Sequence, residues 1–176
     1  NSCKKYSLPV ISGNVSLYNE TNKSGISPTP VIGMVGLIKN ENHSYKNSLK
    51  ENDKIFLIGK KSNNISCSTF LEKVILKNQN NLGPPPPINY NEEIKNGNFI
   101  LNLFKNNLIK FCNDVSSGGV IISMLKMLIN KQFGAEIEES FINNSMNDQI
   151  FYKILFGEDV GKYIIITSNE DRLKII

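Results

Sequence analysis

Three short stretches of this sequence combine residue types and spacings that can do chemistry. In the first, an apolar run ends at Ser12 and gives way to Gly13-Asn14-Val15-Ser16, with Asn19-Glu20 close behind. A glycine after a strand can adopt positive φ and present a bare backbone N–H to a phosphate oxygen. The Asn14 side-chain carbonyl is a neutral, hard oxygen of the kind Mg²⁺ accepts beside water and substrate phosphates. Ser16, two residues on in an extended chain, points to the same side as Asn14 and brings a hydroxyl for a substrate phosphate or amide. Glu20 adds a carboxylate. The same residues also read as a plain strand-to-turn transition in which Gly and Asn supply left-handed backbone.

The second stretch, Asn113 to Val120 (NDVSSGGV), passes from a strand end through two glycines into a helix. The first-turn N–H groups of such a helix favour an anion, and Asp114, Ser116 or Ser117 can equally cap them. It does not match a GxxxxGK[ST] phosphate loop. The third, Leu155 to Lys162 (LFGEDVGK), sets Glu158 and Asp159 between Gly157 and Gly161. It reads as a helix end and a tight turn into a strand. The single histidine, His43, lies in a polar loop beside Asn42 and Ser44, and no Ser/His/Asp or Cys/His arrangement follows from it.

Composition sets the frame for these stretches. The 176 residues are 40% hydrophobic, 9% aromatic and 20% charged, the profile of a globular chain able to bury a core. Asn, Lys and Ile are abundant even in segments with clear patterning, which reads as the coding bias of an AT-rich genome. The net charge of +4 comes from scattered pairs such as Lys4-Lys5 and Lys60-Lys61. Without a basic face carrying interleaved aromatics, nucleic acid is not an expected partner. Cys3, Cys67 and Cys112 are far apart, too few and too scattered for a structural zinc site. An odd number of cysteines without a secretory signal leads us to expect reduced thiols and a cytoplasmic location. No apolar run reaches the roughly 18 residues of a membrane span, so no membrane partner is expected. The chain starts at Asn1 rather than Met and stops at Ile176 within a charged-apolar pattern, as a fragment would.

Strands alternate with helices along the chain, which gives an α/β (α+β) class with helices packed on a mixed sheet. Pro9 to Ser12 reads as a strand end and Asn19 to Pro30 as a loop. Pro30 to Ile38 (PVIGMVGLI) reads as a strand buried on both faces. The polar run Glu41 to Asp53 is the boundary candidate. Lys54 to Gly59 is the next strand and Ser68 to Lys77 a helix. Gly83 to Pro87 (GPPPP) is an extended polyproline spacer. A helix follows over Asn91 to Ile109, capped by Asn91 with Glu92 and Glu93 in its first turn. Then come a short strand from Phe111, a helix over Gly119 to Asn130, a short strand at Gly134 to Glu138, a helix over Asp148 to Phe156 and a strand over Lys162 to Thr167.

Taken together, the three stretches resemble the second half of the synthetase subunits of phosphoribosylformylglycinamidine synthases. PVISGNVSLYNET followed by ISPTPVIGMVGLI carries most of the likeness. NDVSSGGV and LFGEDVGKYIII resemble two further segments of that family in the same order. Against the family pattern, Asn113 stands for a usual His, Ser117 for an acid and Val120 for Leu, and NISCSTF (Asn64 to Phe70) stands for a glycine-rich segment.

The resemblance implies the superfamily of aminoimidazole ribonucleotide (AIR) synthetase. Residues 1–41 would be the tail of a second AIR synthetase N-terminal-type domain. Residues 42–176 would be most of a second C-terminal-type domain, incomplete at its C-terminus. It further implies an ATP-dependent C–N ligase of purine biosynthesis. In that reaction formylglycinamide ribonucleotide and ammonia, drawn from glutamine, give formylglycinamidine ribonucleotide. By motif, Gly13 would contact ATP, Asn14 would bind Mg²⁺ and Ser16 would bind substrate. No catalytic residue is expected in this chain. The implied partners are the remainder of the synthetase chain, a glutaminase subunit and a small accessory subunit. A non-catalytic structural or subunit-docking module of a split or degraded homologue is the alternative.

Overall fold

The structure, a computed structural model, describes residues 2–15, 18–26, 29–38, 49–77, 81–129, 131–142 and 148–168. Ser16 and His43 lie outside these residues, as does much of the Glu41 to Asp53 boundary. The chain separates into two compact units, Asn1–Glu41 and Asn42–Ile176.

The first unit has little regular structure. A single helical turn, α1 (Ser2–Lys5), precedes an irregular segment. Within the expected loop the chain forms a two-residue antiparallel hairpin, β1 (Glu20–Thr21) with β2 (Ser24–Gly25). Asn22 and Lys23 turn it with φ of 52° and 62°. Positive φ at both central residues matches the right-handed twist of the flanking strands, and Asn tolerates it well. Pro9 to Ser12 and Pro30 to Ile38 are not strands. Val31 is 92% exposed and Val35 102%, so the expectation of a strand buried on both faces is overturned. Such a strand needs hydrogen-bonding neighbours and a layer on each face, and the only pairing described in this unit spans two residues per strand.

The second unit is a three-layer sandwich. β3 (Lys54–Ile58) and β4 (Phe111–Asp114) both pair antiparallel with a central β5 (Tyr163–Thr167). A mixed sheet is expected from the sequence; both pairings among the described residues are antiparallel. Successive side chains of β5 point to opposite faces. Ile164 and Ile166 join Val115, Val120 and Met127 beneath α3 (Gly119–Leu128). Ile165 joins Ile100, Leu103 and Cys112 beneath α2 (Tyr90–Lys105). With both faces covered, β5 carries three isoleucines in succession, Ile164 to Ile166, rather than alternating apolar and polar residues. Each of these isoleucines, removed from water, contributes roughly 1.5–3 kcal/mol. The helix α5 (Asp148–Phe156) packs beside α3, and α4 (Glu139–Ile142) is one turn.

Several element ends differ from the expectation. The cap of α2 is Asn89 rather than Asn91: its side-chain oxygen accepts the Glu92 N–H at 3.3 Å. The helix stops at Lys105 instead of Ile109, closed by Asn106, with Asn107 turning left-handed at φ 52°. Thr69 and Phe70 open a helical turn that widens into a π-helix over Leu71–Ile75. Gly134 to Glu138 is irregular, not a strand. Its alternating Ala, Ile and Glu fit a strand, but no ladder partner lies among the described residues. An ion pair joins the starts of β3 and β4, with Lys110 Nζ 2.8 Å and 3.0 Å from the Asp53 carboxylate oxygens.

Candidate functional site

In the first unit, Gly13 and Asn14 sit on an exposed, irregular segment. The backbone of Gly13 does not use the left-handed region, and a Cβ placed there would meet nothing within 4 Å. Neither the local turn nor a neighbour therefore demands glycine, contrary to the strand-to-turn account. What a glycine still offers there is room for an outside group to approach the backbone. The Glu20 carboxylate accepts the Tyr18 hydroxyl at 2.9 Å. Ser16, the third member of the set, falls outside the described residues.

In the second unit, the stretches around Ser68, Gly118 and Gly157 converge. β4 ends at Asp114, and the chain turns through Ser116 and Ser117 to Gly118 at φ 89° and Gly119 at φ 70°. At both positions an L side chain would be strained. Gly119 is also a packing point: a Cβ there would lie 2.7 Å from Leu155 O and from the Phe156 backbone. The head of α3 can therefore approach the end of α5 only without a side chain. The head of α3 is met by a carboxylate. Glu158 Oε1 accepts the Gly118 N–H at 2.8 Å and the Thr69 N–H at 2.7 Å. The expected caps from Asp114, Ser116 and Ser117 are not what the structure uses.

On the other side of the same turn, Lys162 is almost wholly buried, its side chain 2% exposed. Its ammonium donates to Ser62 Oγ and to Gly157 O (3.4 Å), and lies 3.8 Å from Asp159 Oδ2. Ser62 Oγ in turn donates to Gly157 O at 3.2 Å. Burial holds the Lys162 pKa below the usual lysine value, and the Asp159 charge partly opposes that. Asp159 Oδ1 is buried with no hydrogen-bond partner. Gly157 admits the Ser62–Asn64 segment, since a Cβ on it would fall 2.4 Å from Ser62 Cβ. Two clefts flank the turn. One of about 220 Å³ is bordered by Lys61, Asn96, Asp159 and Lys162. A wider one of about 460 Å³ is bordered by Asp114, Ser116, Ser117 and Tyr163.

Sequence reasoning missed the roles of Glu158 and Lys162. No local pattern marks either role, because the partners Gly118, Thr69 and Ser62 lie 40 to 100 residues away along the chain. None of the cysteines is in a disulfide. Burial, reinforced by the Asp114 charge, raises the Cys112 thiol to about 11, which leaves it an inert core residue. No group of three or more His, Cys, Asp and Glu among the described residues can hold a metal ion.

Residues 50–176 match the family described as AIR synthase related protein, C-terminal domain, and the chain belongs to it. Both units align with a more particular set of relatives. The chain is 46% identical over 165 residues to "Phosphoribosylformylglycinamidine synthase subunit PurL" of Pelagibacter ubique, covering 93% of this chain and 22% of that protein. It is 36% identical to the PurL subunit of Azorhizobium caulinodans, over 93% of this chain and 21% of that protein. With the Rhodospirillum rubrum subunit the figures are 33% identity, 99% and 23%. The chain thus spans about a fifth of the length of the curated relatives it matches.

Proposed function

We propose that this chain is a segment of the synthetase subunit of a phosphoribosylformylglycinamidine synthase, contributing one wall of its nucleotide site. The observation that carries this reading is the 46% identity to a PurL subunit across 93% of the chain. The reaction is the ATP-dependent conversion of formylglycinamide ribonucleotide and ammonia to formylglycinamidine ribonucleotide, in the cytoplasm. The ammonia derives from glutamine on a glutaminase subunit, and a small accessory subunit completes the assembly. The bare backbone at Gly13 leaves room for an ATP phosphate beside its N–H. Asn14 offers a neutral oxygen to Mg²⁺, and Ser16 a hydroxyl to the substrate. When bound, the ion would neutralise phosphate charge. The chain's own part is to position and to donate hydrogen bonds, the kind of contribution on which phosphoryl transfer chiefly depends.

The test is phosphate release from MgATP with formylglycinamide ribonucleotide and ammonia. It is run on this chain alone and on its mixture with the separately expressed upstream part of the same gene. Activity in the mixture only supports a shared site. Activity in the chain alone overturns this account. In an active mixture, Asn14→Ala is expected to lower turnover about a hundredfold, and an unchanged rate would remove Asn14 from the site. The reading as a non-catalytic docking module draws on the second unit, where the glycine motif is met by the chain's own Glu158. It gains if the mixture assembles and stays inactive.

A further inference from the structure

We infer that Glu158 is a built-in anion and a positioning residue. Its carboxylate holds the place at the head of α3 that an external anion would take, so the Asn113–Val120 glycine motif is a closed joint rather than a binding loop. Helix heads leave their first N–H groups without intrahelical partners and carry partial positive charge. Here two such amides from separate elements, Thr69 N–H and Gly118 N–H, converge on the same carboxylate oxygen at 2.7 Å and 2.8 Å. Bonds this short to a charged acceptor are the stronger kind.

The surroundings fix the carboxylate in that position. Glu158 follows Gly157, which lacks room for a Cβ against Ser62 and Asn64, and precedes Asp159, which lies beside buried Lys162. The Glu158 backbone is thus pinned from the Ser62 side while its side chain reaches to the other. Gly119 seats the end of α5 against the head of α3, which holds the donor and acceptor elements in register. The consequence is local order. One side chain ties together the start of the helical turn at Thr69, the 114–119 turn and the 157–161 turn, and the latter two border the wider cleft. This inference concerns the joint itself and does not depend on the reaction proposed above.

The 176-residue chain and two variants, Glu158→Gln and Glu158→Ala, test it. Each is measured by amide hydrogen exchange and by thermal midpoint in acetate, in inorganic phosphate and in chloride of equal ionic strength. In Glu158→Ala the Thr69 and Gly118 amides are expected to exchange at least about tenfold faster, together. Acetate should restore part of both their protection and the midpoint, because it replaces the missing carboxylate. Glu158→Gln keeps an acceptor oxygen without the charge, and should fall between the two. The parent should show only the general excluded-salt effect of acetate and phosphate, linear in concentration. A saturable stabilisation of the parent by either anion would mean that the position is open, and would overturn the inference whether or not a variant folds. Unchanged exchange at both amides in Glu158→Ala, or an acetate effect no larger than in the parent, would do the same. If Glu158→Ala does not fold, a Glu158→Gln chain with both amides weakened supports the inference, and one identical to the parent counts against it.

Discussion

The two units use the same residue types to opposite ends. In the first, Gly13 and Asn14 sit exposed, and so do the apolar residues Val31, Ile32 and Val35, each at least 74% exposed. In the second, Gly119 and Gly157 are buried where backbone meets backbone, and Glu158 and Lys162 are committed to partners. Glycine in a motif therefore has two meanings that the string alone does not separate. It can leave room for an outside group, or it can let two parts of the fold close on each other. The exposures decide between them: open space around Gly13 and contacts of 2.7 Å around Gly119.

The largest effect should come from the buried charge. Lys162→Met leaves Asp159 and Ser62 without their cation, and breaking a buried pair this way costs about 3–5 kcal/mol. Chemical denaturation of parent and variant measures it, and Lys162→Met with Asp159→Asn should recover part of the loss. A loss below about 1 kcal/mol would show that the cluster is solvated. The first unit has no charge so deeply buried among its described residues, and no single charge substitution there should approach this cost.

The glycines give the most direct contrast. Gly119→Ala places a Cβ against Leu155 O at a positive φ, and strain plus overpacking should cost about 2–4 kcal/mol. Gly13→Ala meets open space and should stay within about 0.5 kcal/mol of the parent. Equal losses at the two positions would erase the distinction between open and closed motifs.

Legibility follows the same division. The helices around Ile100 and Val120 and the strand at Tyr163–Thr167 are readable because the apolar pattern along each is local. The period of apolar residues reports a face that this chain itself covers. Pro30 to Ile38 misled because its apolar run reports burial that the chain does not supply within its first unit. Glu158 was hidden for another reason. Its bonds span 40 residues to Gly118 and 89 to Thr69, and no local pattern encodes a partner that distant. The family resemblance supplied what periodicity could not, namely that the three motifs follow the order of one family pattern.

The core of the second unit should also declare itself in alkali. Burial raises the Cys112 thiol from 9.0 to about 11, so the folded state keeps a proton that the unfolded chain gives up. That contribution is complete below pH 9 and is lost as pH climbs to about 11, a loss of about 2–3 kcal/mol. Burial also depresses Lys162 and raises Tyr163. The difference between the parent and Cys112→Ala isolates the thiol. Their stabilities, measured from pH 8 upward, should converge by the amount of this loss. Parallel curves would place the thiol in contact with water.

The smallest effect separates two asparagines. Asn89 accepts the Glu92 N–H and starts α2, so Asn89→Ala should cost about 1 kcal/mol. Asn91, expected as the cap from its place just before Glu92 and Glu93, lies inside the first turn, where alanine is the better helix former by a few tenths of a kcal/mol. Asn14 is exposed in the first unit, and Asn14→Ala should leave stability within about 0.5 kcal/mol. The expected order of midpoints is then Asn91→Ala at or above the parent, Asn14→Ala close to it, and Asn89→Ala below. An Asn14→Ala loss as large as that of Asn89→Ala would mean that Asn14 holds the fold of the first unit, and its exposed motif would have to be read as structure.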